Sequence, residues 1–180
     1  MASTISLTYE DLERFPEDGP RRELIGGELF VSPSPSVPHQ DAIGNIYVVM
    51  RKHAELHEGR AFFAAVDVRL GPHDVVVPDA MYVAADRVSI IHERAIDGAP
   101  TIVVEVLSPS NKHVDLGKKR ALYARYDIPE YWIVDVKART IERCSQPRHG
   151  TYAEIETFRV GAMSSPTVTG LTIGVPEIFR

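Results

Sequence analysis

An α/β fold with a mixed sheet is predicted by three features of this sequence. The run Thr101–Leu107 is dense in β-branched residues. A helix-patterned stretch and a second apolar run, Tyr131–Val136, follow it with short joints, so strand, helix and strand form one crossover with parallel strands. The tail segments TIERCSQ, TYAEIETF and LTIGV alternate apolar and polar residues, as antiparallel strands with one wet face do. Near the start, RRELIGGELFVSP sets two short apolar runs around Gly26–Gly27, a turn pair that accepts positive φ, which predicts a hairpin. Antiparallel N- and C-terminal additions thus border a mixed β-sheet flanked by helices. With 180 residues, 44% of them hydrophobic and 25% charged, one globular domain, 1–180, is expected, and disorder, collagen and coiled coil are excluded.

The elements are justified in chain order. Thr8 is an N-cap, with Glu10 and Asp11 in the first turn of a short helix that ends before Pro16. After the hairpin, VSPSPSVPH reads as a loop leading into a helix. From Pro38 to Glu58 the residues Ile43, Ile46, Tyr47, Met50, Ala54 and Leu56 follow helical spacing, and Gly59 ends the helix. Strand-like runs AFFAAVDVRL, VVV and AMYVA come next, then a short helical or irregular segment over Val88–Ala95. The strand Thr101–Leu107 is apolar on both faces, as a central, doubly covered strand is. The following helix runs from Asn111 to Tyr126, with Ser110 as its cap, and Ile128–Pro129 closes it.

Charge and targeting features narrow the function classes. A net charge of −5 excludes a polybasic protein whose affinity comes from bulk charge. The longest apolar runs, Ala61–Val66 among them, are far shorter than the ~20 residues that span a bilayer, so no membrane association is expected. The opening MASTISLTYEDLERF lacks a basic start followed by a long apolar stretch, and the single Cys144 cannot form an internal disulfide. A reducing, cytoplasmic setting is expected.

Two misplaced acids carry the chemistry. Glu105 interrupts an otherwise apolar central strand, and a buried unpaired carboxylate costs several kcal/mol unless it is neutralised, paired or metal-bound. Asp79 follows Pro78 at the end of VVV, in the neighbouring sheet segment. Two carboxylates converging from neighbouring strands suit a hard divalent cation such as Mg²⁺. On the helix after Glu105, at about 100° per residue, Leu122, Asp115, Tyr126, Lys119, Tyr123 and Leu116 share one stripe of about 120°, with Lys118 outside it. Lys119 can snorkel, pair with Asp115, or point at the acids. The residue types leave open a plain Glu105–Lys119 core ion pair without chemistry.

Other motifs weigh less. His53 and His57 have the i, i+4 spacing of zinc ligands but no recognisable third ligand, so surface histidines are expected. No Gly-x-Ser-x-Gly elbow surrounds Ser108 and Ser110, and no phosphate-binding glycine loop exists, so no nucleotide cofactor is expected. Cys144 is expected to be inert and Trp132 to be core. The basic cluster Lys112, His113, Lys118, Lys119, Arg120 and Arg125 fits a solvated face or a phosphate-contacting edge.

Val77-Pro78-Asp79, then Val104-Glu105-Val106-Leu107-Ser108-Pro109-Ser110, Asp115-Leu116-Gly117-Lys118-Lys119-Arg120 and Pro129-Glu130-Tyr131-Trp132-Ile133-Val134-Asp135 closely resemble a large bacterial family of restriction endonucleases within the PD-(D/E)xK nuclease superfamily. Arg22-Glu23-Leu24-Ile25-Gly26-Gly27-Glu28-Leu29 and Ser34-Pro35-Ser36 with His39 match the same family. The resemblance covers nearly the whole chain. It implies a restriction-endonuclease-like fold and a metal-dependent phosphodiester hydrolase acting on DNA. In that frame Asp79 and Glu105 bind Mg²⁺, or Mn²⁺ in its place, with the main-chain carbonyl of Val106. The superfamily's lysine, two residues after the second acid, is replaced here by Leu107. Lys119 is the migrated candidate, Glu23 an assisting acid, and His39 a weaker site residue. A homodimer is implied because duplex cleavage needs two sites. The rival readings are a non-catalytic module that keeps the fold to bind nucleic acid or protein, and a homo-oligomeric structural protein with an ion pair only.

Overall fold

In a computed structural model of the chain, residues 6–16, 19–109 and 112–180 are described. A short helix α1 (Tyr9–Leu12) starts from a capping box in which Thr8 and Asp11 satisfy each other's backbone donors. The predicted hairpin is β1 (Arg21–Ile25) and β2 (Glu28–Ser32), with Gly26 and Gly27 at φ 59° and 75°, where a side chain would be strained. Helix α2 (Val37–Leu56) carries a proline in its first turn, where the missing N–H costs nothing. It ends in a Schellman-type cap: Glu58 takes the left-handed conformation and the Gly59 N–H donates to the Ala54 carbonyl. Gly59 ends the helix as expected, with Glu58 as the left-handed residue before it. It is needed because a Cβ there would lie 2.6 Å from the Tyr82 hydroxyl.

The AFFAAVDVRL run splits into β3 (Arg60–Phe63) and β4 (Asp67–Gly71), which belong to different sheets. β5 (Asp74–Val76), β6 (Ala80–Val83), a 3₁₀ segment (Ala85–Ile90) and β7 (Ala95–Asp97) follow. The crossover is β8 (Ile102–Val106), a π-helical turn (Val114–Lys119) running into α3 (Arg120–Arg125), and β9 (Glu130–Asp135), with β8 and β9 parallel as expected. β10 (Thr140–Arg148), β11 (Thr151–Phe158), β12 (Ala162–Ser164), β13 (Thr172–Gly174) and α4 (Val175–Ile178) complete the chain. The cap expected at Ser110 and the helix start at Asn111 lie outside the described residues.

One mixed sheet with additions was expected; two mixed sheets form. Their orders are β2-β1-β5-β4-β7 and β11-β10-β9-β8-β6-β3, with β12–β13 as a separate ribbon. The two short strands β7 and β12 are too brief to leave a periodic signal in sequence. Alternation along β8 and β9 sorts the core. Val104, Val106, Trp132 and Val134 pack with Ala42, Ile46 and Met50 of α2, while Val103, Tyr131 and Ile133 pack with Leu122 and Tyr123 of α3 and with Val68 and Val76 of the five-stranded sheet. Among the described residues no helix is long and apolar enough to cross a membrane.

Candidate active site

The candidate site forms where the chain passes between the two sheets. Pro78 has no N–H and cannot extend the ladder of β5, so the backbone leaves one sheet at Val77 and enters the other at Ala80. Asp79 occupies that seam. Because Ala80 pairs with Val104 in an antiparallel register, Asp79 comes opposite Glu105, on the same face of the sheet. The second crossing, at Ala64–Ala65, is tied to the first by the Ala64 N–H donating to the Asp79 carbonyl at 3.0 Å.

Each carboxylate is held from several elements. Arg21 Nη1 donates to Asp79 Oδ1 at 2.8 Å, the Val106 N–H donates to Oδ2 at 2.8 Å, and His39 Nε2 stands 3.3 Å from Oδ2. Lys119 Nζ lies 2.8 Å from both Glu105 Oε1 and Glu23 Oε1, and 3.8 Å from Asp115 Oδ1. The Tyr123 hydroxyl donates to Glu105 Oε1 at 2.7 Å, and the Val77 N–H to Glu23 Oε1 at 2.8 Å. Exposure is 2% for Glu23, 3% for Asp79, 1% for Glu105 and 2% for Lys119. Asp79, Glu105 and Asp115 nevertheless line one cleft of about 580 Å³, together with Arg21 and His39.

Four acids, Glu23, Asp79, Glu105 and Asp115, thus face two permanent cations, Arg21 and Lys119. Burial pushes Glu105 up to about 8, and Asp79, Asp115 and Glu23 push it the same way against the pull of Lys119. Burial also lifts Asp115 to about 6. Burial raises Asp79 too, but its bond to His39, the charge of Arg21 and the Val106 N–H outweigh it and hold the group at about 2. Lys119 loses hydration, yet Glu105, Glu23 and Asp115 more than compensate, so its proton is held above the ordinary lysine range.

All five side chains expected from sequence, Glu23, His39, Asp79, Glu105 and Lys119, converge. Val106 contributes its N–H to Asp79. Three partners were not foreseen as site residues. Arg21 could have been found, since i and i+2 on a strand share a face and Arg21 lies two before Glu23. Tyr123 shares the predicted stripe with Lys119, and its hydroxyl reaches Glu105. Asp115 shares it too, as the i, i+4 partner of Lys119, and lines the cleft. The predicted stripe needs one correction. The π-helical turn advances by less than 100° per residue, so Val114 and Ala124 turn inward and Leu116 outward. Lys118 lies outside, 2.5 Å from Glu28.

His53 is not a surface histidine. It is buried, stacked on His57 at 4.1 Å and edge-on to Tyr82, because position 53 falls on the core face of α2 with Met50 and Ala54. Trp132 is core, donating its ring N–H to the buried Glu130. Cys144 is buried, which pushes its thiol up to about 12. The basic cluster is largely spent on acids: Lys112 with Asp135, Lys118 with Glu28, Arg120 with Glu142 and Arg125 with Asp74.

No curated protein matches the chain. Among solved structures it is similar to the crystal structure of "a putative nuclease belonging to DUF820" from Anabaena variabilis ATCC 29413. The two are 20% identical, with 96% of this chain and 97% of that one covered and a TM-score of 0.79, so they share the fold. The model of the Uma2 family, described as "Putative restriction endonuclease", matches residues 9–176, and the chain belongs to that family.

Proposed function

We propose that the protein is an endonuclease that hydrolyses DNA phosphodiester bonds with Mg²⁺, for which Mn²⁺ can substitute. The observation that carries this reading is the pairing of Asp79 and Glu105 across neighbouring strands at the floor of one cleft, above a buried ammonium. Among the described residues no group of three or more His, Cys, Asp or Glu side chains is placed to hold a metal ion, so the reading asks two carboxylates to do so. Mg²⁺ keeps several waters and can be held by one or two carboxylates plus substrate phosphate. The excess of acids over cations, expressed in the raised Glu105 and Asp115, fits a divalent ion as the missing positive charge.

Asp79 and Glu105, with the main-chain carbonyl of Val106, would hold the ion. Once bound, it would neutralise the scissile phosphate and lower the pKa of a water. Lys119, fixed by Glu23 and Glu105, supplies positive charge to orient that water or to stabilise the charge that develops. Arg21 and His39 hold Asp79 in place. Two copies joined along the edge strand β11 would cut both strands of a duplex, whereas one copy suffices for a single strand.

The test is cleavage of plasmid and oligonucleotide DNA in Mg²⁺ or Mn²⁺. Wild-type protein should cut and Asp79→Ala should fall to background; equal behaviour of the two would sink the enzymatic reading. A non-catalytic binding module is the second reading, favoured by Leu107 in the usual lysine position and by the bonds that already satisfy Asp79 within the protein. Calorimetric titration with Mn²⁺ separates them, since tight binding lost in Glu105→Gln contradicts a module without a metal.

A further inference from the structure

We propose that Arg21 is the cation that touches a backbone phosphate of the bound DNA. One arm of its guanidinium stays on Asp79 and the other takes a phosphate oxygen, while Lys119 acts at a distance, through its charge and the carboxylates it fixes. This rests on the nuclease reading for its ligand and names the residue that meets that ligand.

The placement of the two cations argues first. Lys119 is 2% exposed and does not line the cleft. Of its two partners at 2.8 Å, Glu105 lines the cleft and Glu23 does not, so Glu105 stands between the ammonium and the open space. Arg21 does line the cleft, with 23% of its side chain exposed. The hairpin explains the difference. Arg21 pairs with Ser32 at the open end of β1 and β2, and both positions line the cleft. Glu23, two residues along on the same face, lies deeper and meets Lys119.

The spare donors of Arg21 argue second. A guanidinium carries five N–H donors and no acceptor. Nη1 donates to Asp79 Oδ1 at 2.8 Å, Nη2 makes only a 4.0 Å ion pair with Glu23, and Nε has no hydrogen-bond partner among the described residues. The group therefore holds one carboxylate and still has donors unspent, in a planar fork that matches phosphate.

The scarcity of positive charge argues third. Among the described residues Arg21 is the one Lys or Arg on the cleft wall, against Asp79, Glu105 and Asp115. Lys112, Lys118, Arg120 and Arg125 are paired with Asp135, Glu28, Glu142 and Asp74. A polyanion that comes down to Asp79 thus meets one cation on the wall, and that cation is already in contact with Asp79.

The experiment follows binding of a labelled DNA duplex by anisotropy in EDTA, where no divalent ion is present, over a series of salt concentrations. One lost phosphate contact lowers the slope of log affinity against log salt by about one. Arg21→Gln should lower it by that much and weaken binding about tenfold, and Arg21→Lys should keep the slope. Arg21→Gln combined with Asp79→Asn leaves the net charge unchanged and should bind as weakly as Arg21→Gln. If the added Asp79→Asn restores wild-type binding, Arg21 merely balances that carboxylate and the proposal fails. It fails too if Arg21→Gln keeps the wild-type slope, if the metal-free protein binds no DNA, or if Glu23→Gln, Glu105→Gln and Lys119→Met together lower the slope by about one. Should Arg21→Gln unfold, the combined variant, which leaves no unpaired Asp79 charge, gives the same comparison against Asp79→Asn. Cleavage in Mn²⁺ is scored separately. Arg21-dependent binding without cleavage by wild type keeps the contact and removes the nuclease reading; cleavage with a slope indifferent to Arg21 does the reverse.

Discussion

Lys119 is the residue on which the electrostatics of the site balances. Its ammonium is shared by Glu23 and Glu105 and lies near Asp115, so it opposes repulsion among three buried carboxyls. Lys119→Met should destabilise the protein by about 3–5 kcal/mol in urea unfolding, because it strands buried acids. Neutralising the pair alone would not test for an inert ion pair, since Glu23 would remain. The triple replacement Glu23→Gln, Glu105→Gln, Lys119→Met is the proper control, and it should recover most of the lost stability.

The raised acids also fix a pH slope. Glu105 and Asp115 keep protons in the folded chain at pH values where the unfolded chain has released them, so metal-free stability should fall between about pH 4.5 and 8. Asp79 acts oppositely, adding stability above its ordinary value near 3.8 that is lost only as pH drops through about 2. Urea midpoints across this range should decline toward pH 8 without metal and flatten in excess Mg²⁺. A flat metal-free profile would contradict the raised values.

Elements differ in how far sequence reveals them. The hairpin and α2 are legible from their turn glycines and helical spacing, and β8 and β9 from unbroken apolar runs bounded by turn residues. So were Asp79 and Glu105, since a charge in an apolar strand stands out. The division into two sheets was not, because the crossing at Ala64–Ala65 occurs inside an unbroken apolar run. The π-helical turn was also hidden: its wider winding depends on tertiary contacts, among them the Tyr131 hydroxyl donating to the Asp115 carbonyl. At the end of α3, Asp127 adopts the left-handed conformation and the Ile128 N–H caps the Tyr123 carbonyl, the same device that ends α2. Gly59→Ala, which drives a methyl into Tyr82 and the Val83 carbonyl, should cost about 1–3 kcal/mol in thermal or urea unfolding.

At the scale of the whole molecule, the site is assembled from five separated segments: β1, α2, the Val77–Asp79 seam, β8 and the π-helical turn. These segments come from both sheets, so the integrity of the site reports on both together. The same tertiary closure seals Cys144 on β10, with Val103, Tyr131 and Tyr152 in the same core. A thiol reagent at neutral pH should therefore leave the native protein unlabelled and modify one sulfur per chain in denaturant. Because the sequence has a single cysteine, labelling under native conditions can come from that one buried sulfur alone. Its rate is then a stopwatch for the moments when the layers part, and running it with and without a divalent ion would show whether filling the seam slows the breathing of the molecule around it.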